Sequence, residues 1–147
     1  MIFKHEFTTP RNVYDKLVRD YEHLDMVVSG DTFFNFVSTA SFLLEWLKNA
    51  QQNETLTRFV KRVAKDSNMK ICKDILTFKC TYTITIDDAA IEEGSVFEHV
   101  RLPEDYDLPA YQNKTRNFKL LIGENEYDIF KFKEEILTLF NIYFKIK

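Results

Sequence analysis

Twenty residues from Asp31 to Ala50, reading Asp-Thr-Phe-Phe-Asn-Phe-Val-Ser-Thr-Ala-Ser-Phe-Leu-Leu-Glu-Trp-Leu-Lys-Asn-Ala, constrain the fold of this chain more than any other stretch. Phe33, Phe36, Val37, Ala40, Phe42, Leu43, Leu44, Trp46 and Leu47 recur at helical spacing on more than one face. A helix that is apolar over most of its circumference belongs in the middle of a bundle. Its remaining polar residues, Asn35, Ser38, Thr39, Ser41 and Glu45, are then expected to be partly buried and to need partners. The polar interruptions make the run too short to cross a bilayer, which takes about 18 apolar residues.

The rest of the chain reads as helices around this one, followed by a small sheet. Thr9-Pro10 starts a helix over about 10–25, with Val13, Leu17, Tyr21 and Leu24 on its apolar stripe. Ser29-Gly30-Asp31 breaks the chain and caps the central helix at about 31–50. A third helix is predicted near 54–66, burying Leu56, Phe59, Val60 and Val63, and a fourth near 68–77, capped by Ser67-Asn68. At Lys79 the period changes from 3.6 to 2, and Cys80, Tyr82, Ile84 and Ile86 alternate with threonines as a strand does. Residues 87–116 are irregular, with Gly94, Pro103, Pro109 and the acidic run Glu104-Asp-Tyr-Asp107. Asn117–Ile122 and Glu126-Tyr127 flank Gly123 as a hairpin, and Asp128 caps a last helix over about 129–146. Phe132, Ile136, Leu139, Phe140 and Tyr143 form its expected inner face. The fold class is α+β, predominantly helical: about five helices with a small antiparallel sheet before the C-terminal helix. One domain spans 1–147, divided into a bundle (1–78), a strand, loop and hairpin region (79–128) and the C-terminal helix (129–147).

Fourteen Phe and seven Tyr against three Gly and three Pro describe a core of large rings and few tight turns. A net charge of -3 argues against a nucleic-acid coat over the whole surface and leaves room for a local basic patch. Two cysteines, Cys72 and Cys80, are too few for a disulfide scaffold and have no zinc-ligand spacing, so no metal is expected. The N-terminal Met1-Ile-Phe-Lys-His-Glu-Phe lacks the apolar segment of a signal peptide, and a cytoplasmic location without membrane contact is the expectation. Only three glycines are present and no nucleotide-cradling or serine-hydrolase motif, so no cofactor is expected either.

Four sets of residues are candidates for function. Arg19 and His23 stand four apart on the first helix, where together they would grip a phosphate; an exposed helix surface explains the same spacing. Arg58, Lys61, Arg62 and Lys65 share one face of the third helix, with Lys70 and Lys73 following, as a nucleic-acid surface or a solvated face. Phe97, His99, Tyr106 and Tyr111 sit among charges in the irregular segment and are candidates for binding a partner. Glu104, Asp105 and Asp107 lack the alternation of a calcium loop.

The chain resembles a group of bacterial small proteins with a HEPN-like helical core, whose central helix commonly reads F-N-F-x-x-T-A-x-H-L-x-D-W. Phe34-Asn35-Phe36, Thr39-Ala40, Leu43-Leu44 and Glu45-Trp46 stand at the matching places, and Phe118–Ile122, Glu124-Asn125, Asp128 and Leu139-Phe140 match its C-terminal part. Phe42 replaces the group's histidine; Cys72-Lys73-Asp74-Ile75 keeps its C-R-D-I pattern, and Cys80-Thr81 stands where it has a Lys-His pair. HEPN ribonucleases use an Arg, a polar residue and a nearby His, and the equivalent helix here has no such set. The resemblance therefore implies a non-catalytic member acting through a protein partner or as a homodimer, in a toxin–antitoxin or anti-phage setting. The alternative it leaves is an RNA binder, or a metal-independent ribonuclease with a displaced Arg19/His23 site.

Overall fold

A computed structural model describes residues 6–50, 53–87 and 117–145, with the backbone alone at Ile86, Asp87 and Asn117. Five helices and three strands follow in order: α1 (Pro10–Met26), α2 (Gly30–Asn49), α3 (Glu54–Ala64), α4 (Ser67–Leu76), β1 (Thr83–Asp87), β2 (Asn117–Ile122), β3 (Asn125–Asp128) and α5 (Ile129–Phe144). The fold is α+β and mainly helical, with a three-stranded antiparallel sheet in the order β1-β2-β3. Ile84 pairs with Leu120, and Leu120 with Tyr127, so β2 is the central strand.

Each helix starts where a side chain can accept its free amides. Thr9 with Asn12, and Ser29 with Thr32, form reciprocal capping boxes at α1 and α2. Asn53 caps α3 and Asp128 caps α5. The cap of α4 differs from the expected Ser67-Asn68: Asp66 accepts from the Asn68 and Met69 amides, which brings Ser67 into the helix. A carboxylate accepts more strongly than a hydroxyl and favours the positive helix end, so Asp66 takes the position.

Packing follows the predicted stripes with three departures. Tyr14 is buried beside Val13 and Leu17, stacked on the Phe144 ring at 4.4 Å, with its hydroxyl on Asn141. In α5 the inner face is Ile129, Phe132, Lys133, Ile136, Phe140 and Phe144, while Leu139 and Tyr143 are half-buried. The strand read from Lys79 begins only at Thr83; Tyr82 is instead tied to α2, its hydroxyl donating to the Gly30 carbonyl at 2.9 Å and its ring on Phe33 at 5.0 Å. Gly123 has φ +60, the sign a two-residue hairpin needs at its first turn position. Phe33, Phe36, Leu43, Leu120, Phe132 and Phe140 belong to one buried cluster that joins helices and sheet. Among the described residues no helix is long and apolar enough to cross a membrane.

Candidate functional site

The central helix is not buried all round. Counting 100° per residue from Ser38, one face of α2 holds Asp31, Phe34, Asn35, Ser38, Ser41, Phe42 and Glu45. Phe34 is 43% exposed and Phe42 55% exposed, so two rings stand outward four residues on either side of a serine. Asn35 and Glu45 are solvated, and Ser38 and Ser41 are half-buried, their hydroxyls shielded with no hydrogen-bond partner among the described residues. Of the polar residues expected to need partners, only Thr39 is buried, and its hydroxyl donates to Asp20, which also holds Lys16 at 2.8 Å. Between α1 and α2 these side chains border a groove of about 320 Å³, lined by Phe7, Val13, Lys16, Ser38, Phe42 and Trp46. Phe7 is 45% exposed at its edge.

A second surface is charged. Arg58, Lys61 and Arg62 are exposed on α3, Lys65 at its C-cap, and Lys70 and Lys73 on α4. Arg58 pairs with Glu54 at 3.3 Å; the other five have no ion pair among the described residues. From Arg58 to Lys79 seven cations stand against two carboxylates, Asp66 and Asp74, in a chain whose net charge is -3. This face ends at Phe78, whose ring is 91% exposed and whose φ is +62. The Phe78 amide donates to the Ile75 carbonyl at 3.3 Å and the Lys79 amide to that of Asp74 at 2.8 Å. This is the bonding pattern of a Schellman cap, with Phe78 at the left-handed position that glycine usually fills.

The third feature is internal. Lys133 is 1% exposed, and its ammonium lies 2.9 Å from Asp25 and 3.2 Å from the centre of the Tyr21 ring. Asp25 and the ring face supply the electrostatic compensation that a buried ammonium requires. Burial, with Asp25 and Glu134 adding to it, pushes the Tyr21 phenol above its usual value.

Arg19 and His23 lie on the outward side of α1, Arg19 half-buried and His23 exposed, with no acid or third polar side chain bonded to either among the described residues. Phe97, His99, Tyr106 and Tyr111 fall outside the described residues. The described residues contain no group of three or more His, Cys, Asp or Glu placed to hold a metal ion. Cys72 is fully buried, and burial pushes its thiol far above the ordinary range, with Asp66 adding to the effect. Sequence reasoning missed Phe78 and Lys133, although both left signals. The α4 helix ends without Gly or Asn, and Lys133 falls in register with Ile129, Ile136 and Phe140. No family model matches this chain, and neither a curated protein nor a solved structure matches it.

Proposed function

We propose that this protein is a non-catalytic, HEPN-like interaction module that acts through protein–protein contact, with the outward face of α2 as its docking surface and a second copy of the chain as the occupant. The observation that carries this reading is the placement of Phe34 and Phe42 at equal distances from the small residue Ser38. Two such helices set antiparallel about a two-fold axis at Ser38 bring each Phe34 level with the other copy's Phe42. The serines let the backbones approach. The same symmetry sets Asp31 level with the other copy's Glu45, a like-charge pair at the ends of the face, so the apolar pairing and the opposed helix dipoles carry the arrangement.

At about 200 Å² per ring, the exposed parts of Phe7, Phe34 and Phe42 amount to roughly 300 Å². That suits the apolar centre of an interface of about 800 Å² per partner, with Asn35, Glu45 and Lys48 at its rim. The non-catalytic part of the reading is supported by Arg19 and His23, which share a helix with no third group to orient them among the described residues. A toxin–antitoxin or anti-phage setting follows from the resemblance of the central helix alone.

Sedimentation across a concentration series tests the reading. The wild-type chain is expected to dimerise, and Phe42→Glu or Phe34→Glu to weaken the dimer at least about tenfold, one desolvated charge costing that much. A wild-type chain monomeric throughout would overturn the docking reading. RNA cleavage lost on His23→Ala would overturn the non-catalytic one.

A further inference from the structure

We infer that the α3–α4 face binds single-stranded nucleic acid, with one base stacked on the Phe78 ring and the strand running back along the lysines of α4. Three observations converge on it. Phe78 occupies a left-handed backbone position that strains any side chain with a Cβ, where glycine would hold the same cap without strain. Its ring gives the fold nothing in return: it is 91% exposed and has no ring partner among the described residues. A strained, solvated ring that does not serve folding points to a role outside it. The third observation is what surrounds the ring. Lys79 follows it directly, and Lys73 and Lys70 lie on the exposed side of α4, with Lys70 about 12 Å back along the helix axis.

A ring of this kind takes an unpaired base on its face, and cations in a row follow a phosphate backbone. Duplex bases are already stacked, so the ring favours a single strand. A lipid surface fits less well, since Phe78 is the one large exposed hydrophobic side chain between Phe42 and Ile142 among the described residues. The α3 cations Lys61, Arg62 and Lys65 extend the positive field along the chain leading into α4. The surface involves no residue of the α2 face, so this inference stands or falls independently of the proposed dimer.

Fluorescence anisotropy with a labelled oligouridylate, at low salt and along a salt series, is the experiment. Wild-type protein is expected to bind the single strand more tightly than the same strand annealed to its complement. Phe78→Gly is expected to weaken binding about 5- to 100-fold, the range of one stacked base. The same substitution should raise the unfolding midpoint by about 2–4 °C, because it relieves the strained cap. Phe78→Trp should retain binding. Replacing Lys70 and Lys73 by Gln should reduce the slope of log affinity against log salt by about 1.4. Absence of binding at low salt overturns the inference. So do binding unchanged by Phe78→Gly, equal affinity for duplex, or equal affinity for polyglutamate, which would leave only a nonspecific anion surface or one suited to an acidic protein.

Discussion

The ammonium of Lys133 is sealed between α1 and α5, where desolvation alone would cost several kcal/mol. Its stability depends on Asp25 at 2.9 Å and on the Tyr21 ring face at 3.2 Å. Removing the carboxylate takes from a buried cation its charged partner, whereas removing the cation leaves Asp25, 13% exposed, with some access to water. Asp25→Ala is therefore expected to lower stability by about 3–5 kcal/mol, and Lys133→Met by less. The double replacement should recover most of the loss, because a neutral pair of similar volume has no charge to desolvate. Urea denaturation of the three variants checks this. Equal costs for the two single variants would show that the pair is not what holds the ammonium. The amphipathic pattern pointed at Phe132 and Ile136, and a lysine between them reads as solvated until its partner, more than a hundred residues away, is known.

At the level of elements, the starts of the helices were legible because capping is local. Thr9-Pro10, Ser29 and Asp128 each lie within three residues of the amides they serve. The exception, α4, turned on a choice between neighbouring acceptors, and the carboxylate of Asp66 took it. Asp66→Ala should cost about 1 kcal/mol, and Ser67→Ala no more than a few tenths, measured as shifts in denaturation midpoint. A larger cost at Ser67 would return the cap to the serine. The outward side of α2 was less legible. Phe34 and Phe42 have the same character as the buried Phe33 and Phe36, and hydrophobicity alone does not say which face is covered. The strand after α4 begins later than the alternation suggests because Tyr82 packs on α2 through Gly30 and Phe33 rather than in a ladder.

For the molecule as a whole, the buried weak acids set the response to alkali. Burial raises the Cys72 thiol above its ordinary value of 9.0, and raises the Tyr14 and Tyr21 phenols as well. The sign follows from proton counts. Above about pH 9 the unfolded chain loses the thiol proton while the folded chain keeps it, so the native state binds more protons and stability falls as pH rises. Below that value both states hold the proton and the thiol contributes no pH dependence. Stability measured by urea titration is expected to be level in this respect at neutral pH. It should decline above about pH 9 by up to about 1.4 kcal/mol per pH unit for the thiol, with the phenols adding above about pH 10. Cys72→Ala should flatten the decline between those values. An unchanged slope would mean that Cys72 ionises in the native state.

Local sequence carries the helical order, the positions of three of the five helix caps, the hairpin at Gly123 and the inner stripe of α3. All of these rest on interactions between residues a few positions apart, where spacing carries the geometry. Tertiary structure decided which side of α2 remains open, that Lys133 goes inside with Asp25, and that the basic row on α3 and α4 ends in an exposed ring at Phe78. Those outcomes depend on which surfaces of distant elements meet. A periodic pattern records how apolar a face is; what covers it is fixed only when the other elements are in place.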